Sequence, residues 1–138
     1  MHFSVESDNA KVGLPEVSLG VIPGDGGTQS LPQQIGKGRA MEMIMTAGMI
    51  DTATAHSYGL VNHVVPLEEL IPTCEKLASK IMRNSPMAIS AAIDAVNAGY
   101  IDGTDGYQAE IDNFGSCFGT DQFVEGTRAF LEKRKAEF

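Results

Sequence analysis

The stretch from Gly13 to Gln29, GLPEVSLGVIPGDGGTQ, restricts most strongly what this chain can fold into. Gly13, Pro15, Gly20 and Pro23 interrupt the apolar series Val12, Leu14, Val17, Leu19, Val21 and Ile22, so no amphipathic helix runs through it. The pattern predicts a short strand over Val12 to Leu19 and then a tight glycine-rich turn. Gly20, Gly24, Gly26 and Gly27 allow the backbone to turn sharply and to approach a ligand closely. A short helix over Thr28 to Ile35 follows, provided that Pro32 lies in its first turn. The amides opening that helix could face an anion or a polarised oxygen, or the loop could be purely structural.

From Lys37 onward the sequence is mainly helical. Arg39 to Ala47 is rich in strong helix formers, with Gly48 as its stop. Asp51 is a suitable N-cap for Thr52 to Tyr58, and Leu60 to Val65, a β-branched run ended by Pro66, predicts a strand. Leu67, Leu70, Ile71, Cys74, Leu77, Ala78 and Ile81 recur at helical spacing between Leu67 and Arg83. Ser85, with Pro86 behind it, caps a helix running to Gly99. Tyr107, Ile111, Phe114 and Phe118 share one face of the next helix. Thr120 caps the last, which Lys133, Arg134 and Lys135 close as cations suited to its negative end. The expected division is residues 1–36 as strand and loop, and 37–138 as a helical region continuous with them. A strand over Val12 to Leu19 has little sheet to join here, which leads us to expect more sheet upstream of Met1.

Composition narrows the function. Asp plus Glu number 18 against 10 Lys plus Arg, a net charge of −8 that argues against nucleic-acid binding. No apolar run is long enough to span a bilayer, and the first ten residues do not form a signal peptide. Cys74 and Cys117 lack metal-ligand spacing and are expected as two buried thiols of a reduced, cytoplasmic protein. His2, His56 and His63 lack HExxH spacing, so no metal site is expected. Ser18 is not in a GxSxG elbow. Gln29 occupies the third glycine position of a dinucleotide fingerprint, and Gly36-Lys37 lacks the flanks of a P-loop. Met41, Met43 and Met45 are expected to straddle core and interface as adaptable packing.

Read whole, Gly13 to Gln29 resembles the crotonase (enoyl-CoA hydratase/isomerase) family. The resemblance continues through GKGRAMEMIMTAGMIDTATAHSYGLVNHVVP, Gly36 to Pro66, and ends on FLEKRKAEF, Phe130 to Phe138. It implies an α/β parent fold, a ββα spiral followed by a helical region. This chain would hold the carboxy-terminal half, mostly α with one or two short strands. It also implies an acyl-CoA thioester as substrate, no covalently bound cofactor, and a homo-oligomer, trimeric or a pair of trimers. The glutamate of the family's PE motif falls on Glu16, implied as the acid/base that protonates the carbon next to the thioester or holds the attacking water. Its alternative is a solvated strand glutamate. The glycine after IP falls on Gly24, whose amide would lie near the same water. Lys133 matches a lysine often near the CoA nucleotide, with a dipole-compensating cation as the alternative. The family's oxyanion-hole amides and second glutamate have no counterpart here, and two of its arginines are replaced by Ser30 and Gln33. Hydration of 2-enoyl-CoA is therefore expected of the complete protein and not of this chain alone. Double-bond isomerisation and a non-catalytic oligomerising module are the alternatives.

Overall fold

The computed structural model describes residues 3–138, so His2 lies outside the described residues. Two compact units emerge, Met1–Glu75 and Lys76–Phe138. Among the described residues no helix is long and apolar enough to cross a membrane.

The first unit contains four strands, each of three residues, joined in two pairs. Strand β1 (Val5–Ser7) lies parallel to β4 (His63–Val65), with Glu6 opposite Val64. Strand β2 (Lys11–Gly13) lies antiparallel to β3 (Met49–Asp51), with Val12 opposite Ile50. Pairs this short are marginal in water and depend on what packs over them. Helices α1 (Gly27–Ile35) and α2 (Lys37–Thr46) pack on each other and meet the second pair through Ile50 of β3. Leu31, Ile35, Ala40 and Met43 are buried together, with Leu14, Ile44, Ile50, Tyr58 and Leu60 packed around them. The Arg39 guanidinium lies 4.2 Å from the centre of the Tyr58 ring. Helix α3 (Thr52–Ser57) begins at Asp51, whose side chain accepts from the Thr54 amide at 2.8 Å. The Thr54 side chain first, and then its amide, hold the Asp51 carboxyl below its ordinary pKa by hydrogen bonding.

Several expectations change here. Extended pairing stops at Gly13, and Glu16–Leu19 forms a 3-10 turn instead of continuing the strand. Pro15, with φ −84° and ψ 5°, turns the chain into it, and Gly20, at φ 79°, turns it out. Strands β1 and β3 were not expected from the sequence. Pro32 lies inside α1, well past its first turn. The missing N–H removes only the bond to the Thr28 carbonyl, in a helix held by the burial of Leu31 and Ile35. Helix α2 is stopped by Ala47, at φ 53°, one residue before Gly48. Of the three methionines, Met43 is buried while Met41 and Met45 are exposed. Both strand pairs bridge the 36/37 position at which the sequence changes character, and the compact units part instead within α4 (Leu70–Ile81).

The apolar stripe of α4 forms at the expected spacing, yet the helix buries none of its residues fully. Cys74 is exposed and Cys117 half-buried, and both are free thiols, so neither is the buried thiol expected.

In the second unit α5 (Pro86–Ala98) packs on α6 (Gly106–Cys117), followed by α7 (Asp121–Leu131). Three side-chain caps start these helices. Ser85 accepts from the Ala88 amide, Asp105 from the Tyr107 and Gln108 amides, and Thr120 from the Phe123 amide. A Cβ at Gly106 would stand 3.1 Å from Gly99 Cα, so glycine sets how closely the two helices approach. Phe118 links Phe114 and Phe123, with ring centres 4.9 and 4.8 Å apart. Much of the aromatic face remains open: Tyr107 is 83% exposed and Phe114 67%.

Candidate active site

Glu16 opens the 3-10 turn in the first unit. Its carbonyl accepts from the Val21 amide at 3.3 Å, and the Ser18 amide and hydroxyl both donate to the Pro15 carbonyl, at 3.0 and 2.7 Å. Ser18 is thus tied into the turn. The Glu16 backbone is fixed from both sides while its side chain is left over. That residue is partly buried, and Oε2 is fully buried and accepts from no donor among the described residues. Buried carboxylate oxygens normally have partners, so one without is a place to look for a ligand or a reacting proton. A turn, and not the expected strand, presents Glu16.

The approach of α1 to this turn is set by Gly27. A Cβ there would stand 3.0 Å from Leu14 Cδ1 and 3.2 Å from Pro23 Cβ, so any larger residue would have to push those side chains back by a few tenths of an ångström. Gly26, the N-cap, has φ 79° and offers no side-chain cap. Its carbonyl accepts from the Gln29 and Ser30 amides and from the Ser30 hydroxyl. The amides of Gly27 and Thr28, at the head of the helix, have no intrahelical acceptor. Gly24 is different in kind. Its φ is ordinary for any residue and a Cβ would meet nothing within 4 Å, so neither conformation nor packing within this chain requires glycine there.

His56 and His63 are exposed. Among the described residues no three His, Cys, Asp or Glu side chains gather as metal ligands.

Lys133 lies in the second unit, just past the end of α7. It is exposed and has φ 55°, in the left-handed region that glycine normally occupies. Around it is an arrangement the sequence reading missed. Arg134 grips Glu125 with both terminal nitrogens, at 2.7 and 2.9 Å, and its Nε reaches Glu132 at 2.6 Å. The Glu137 amide also donates to Glu125, at 2.9 Å. The Arg134 bonds, then the Glu137 amide, hold the Glu125 carboxyl far below the usual range, at about 2. Reciprocally, Glu125 and Glu132 push the Arg134 guanidinium up. Arg134 is therefore committed to Glu125 and Glu132, beyond the general compensation of the helix dipole expected of it.

Known proteins resemble this chain in both sequence and structure. The family model for enoyl-CoA hydratase/isomerase matches residues 2–138. The crotonyl-CoA hydratase of Syntrophomonas wolfei is 44% identical over 137 residues, covering 99% of this chain and 53% of the relative. The short-chain-enoyl-CoA hydratase of Clostridium acetobutylicum is 42% identical, covering 96% of this chain and 51% of the relative. Among solved structures, an enoyl-CoA hydratase from Bacillus anthracis superposes with a TM-score of 0.94 at 39% identity, over 99% of this chain and 54% of that one. The chain spans about half the length of the curated relatives it matches.

Proposed function

Because the chain belongs to the enoyl-CoA hydratase/isomerase family, we propose that it is the carboxy-terminal portion of a crotonase-fold hydratase that adds water reversibly to a 2-enoyl-CoA. The observation that carries the reading is Glu16 Oε2, buried and without a donor. In the hydration direction a carboxyl there gives its proton to the carbon next to the thioester as water oxygen bonds to the following carbon. The proton that the water sheds as its new bond forms is taken up by a carboxylate, Glu16 itself or the second glutamate expected upstream, which restores the starting protonation, and the reverse direction runs the same transfers backward. Gly24, left without a side chain for no reason internal to this chain, is the place where the water can come close to backbone. Lys133 is proposed to meet the anionic nucleotide part of CoA. Self-association of the helical part belongs to the same proposal, with Tyr107, Ile111 and Phe114 as exposed candidates for the surface.

Isomerisation is the second reading, favoured by the single orphaned carboxylate oxygen found at this turn, since moving a proton between two carbons needs only one such group. The hydratase names of the two relatives described above weigh toward water addition.

The test joins this chain to an upstream half taken from a family hydratase and follows crotonyl-CoA by loss of enoyl-thioester absorbance. Glu16→Gln keeps the shape and removes the transferable proton, so turnover should fall by about two to four orders of magnitude with acyl-CoA affinity little changed. Near wild-type turnover would show that Glu16 is structural. The chain by itself should be inactive; strong hydration by it alone would overturn the assignment as a portion of the catalyst.

A further inference from the structure

The backbone at Lys133 is what a helix end normally assigns to glycine. The Lys133 amide donates to the Phe130 carbonyl at 3.2 Å and the Arg134 amide to the Ala129 carbonyl at 3.0 Å. Those two bonds form the Schellman arrangement, which places its left-handed residue at position 133. A lysine there carries a conformational cost that glycine would avoid, and strain of this kind persists only where the surroundings over-determine it. The surroundings here are specific. The Arg134 fork on Glu125 and its Nε bond to Glu132 fasten the residues on either side of Lys133 to the body of α7. Arg134 also donates to the Lys135 carbonyl at 3.0 Å, and the Glu137 amide closes the loop on Glu125. A second consequence is electrostatic. Both oxygens of Glu125 and one oxygen of Glu132 are already engaged by Arg134 and the Glu137 amide. Among the described residues Lys133 makes no ion pair.

We propose that Glu125 and Arg134 are positioning residues for acyl-CoA binding, holding the turn after α7 so that Lys133 stays both fixed and unpaired for an anionic group of the ligand. The inference rests on the reading of Lys133 given above and goes beyond it by assigning the apparatus that prepares this cation. Helix closure alone needs no such clasp, since α2 ends on Ala47 at φ 53° without an ion pair among the described residues, so what sets position 133 apart is the unpaired charge that the clasp holds in place.

Coenzyme A is titrated calorimetrically into the full chain and into Lys133→Ala, Arg134→Gln, Glu125→Gln and the double variant Lys133→Ala/Arg134→Gln, with helicity followed by circular dichroism. Loss of one charge-assisted contact should weaken binding about tenfold in Lys133→Ala. Arg134→Gln and Glu125→Gln should each show a smaller loss, with wild-type helicity. The double variant should be no weaker than Lys133→Ala, since Arg134 acts through the lysine. Arg134→Lys, which keeps the charge without the fork, should fall between wild type and Arg134→Gln. Full affinity in Lys133→Ala, or no uptake by the wild-type chain, would remove the reading of Lys133 and this inference with it. A loss in Lys133→Ala but none in folded Arg134→Gln would overturn the positioning role alone. Equal additional loss in the double variant would do the same.

Discussion

The buried, unpartnered oxygen of Glu16 has a consequence for stability that can be measured without any substrate. A polar atom taken out of water without a partner costs about 1–3 kcal/mol. At Glu16 only Oε2 is in that condition, in a residue that remains partly exposed, so the low end of about 1 kcal/mol applies. Replacing the carboxyl by an apolar group of similar length should therefore stabilise the fold. For a chain of this size 1 kcal/mol corresponds to roughly 3–5 °C in the unfolding midpoint. Glu16→Met is the informative substitution, and Glu16→Gln, still polar at the same atoms, should melt close to wild type. Thermal unfolding by circular dichroism at neutral pH, on the chain alone, reads both. The expected combination is a more stable Glu16→Met protein whose rebuilt enzyme is inactive, as is usual where a side chain is kept for chemistry. A midpoint lowered by several degrees in Glu16→Met would mean that the carboxylate is held by favourable contacts, and the argument from an orphaned oxygen would fail.

Gly13→Ala and Gly24→Ala should separate packing from chemistry: at Gly13 the new Cβ would stand 2.6 Å from Met49 Sδ and 2.7 Å from the Gly48 carbonyl oxygen, whereas at Gly24 it would meet nothing within 4 Å. The thioether can swing aside but the carbonyl cannot, so Gly13→Ala should lose about 1–3 kcal/mol in denaturant unfolding, while Gly24→Ala unfolds like wild type and loses turnover only in the rebuilt enzyme. The clasp at the carboxy terminus should be acid-resistant: because the Glu125 pKa is depressed from 4.5 to about 2, its contribution is complete above pH 4.5 and is lost as pH falls through about 2. Amide exchange at Glu137, which donates to Glu125, should stay protected at pH 3.5 and open toward pH 2; opening near pH 4.5 would show that the Arg134 fork does not hold in solution.

The elements that were legible from sequence are those whose signals are local. Asp51, Ser85 and Thr120 announce helix starts, because a side-chain oxygen three residues ahead of an amide is a short-range device, and all three make the expected bond. Strand β4 lies within the β-branched run Leu60 to Val65, although only its last three residues pair. By contrast β1 and β3, Val-Glu-Ser and Met-Ile-Asp, are too short to show alternation, and they exist because a distant strand supplies the other half of each ladder. The turn at Glu16 reads as strand in the sequence for a similar reason. Pro15 fits both an extended chain and the start of a 3-10 turn, and only the packing of Leu14 and the close approach of Gly27 decide between them. Periodicity found the α4 stripe correctly but could not say how deeply it is covered.

The same division between local and non-local signals runs through the candidate site residues. The identity of Glu16 could be taken from the resemblance of its neighbours, yet its unusual property, a buried oxygen with no donor, depends on atoms that no spacing rule connects. At the carboxy terminus the sequence showed a dense run of charges, Glu132 to Lys135, that invites a single explanation by helix dipole. The structure gives these residues different work: Arg134 reaches nine positions back to Glu125, beyond the three or four at which helix side chains normally meet, while its neighbour Lys133 takes a backbone conformation that lysine rarely adopts. A charge census cannot separate the two, since both are cations in the same turn. Their partners can. One guanidinium absorbs Glu125 and Glu132, and the adjacent ammonium is left over. Which cation is structural and which is offered outward is decided by tertiary contacts alone, and for that reason the calorimetric test above mutates the paired residue as well as the unpaired one.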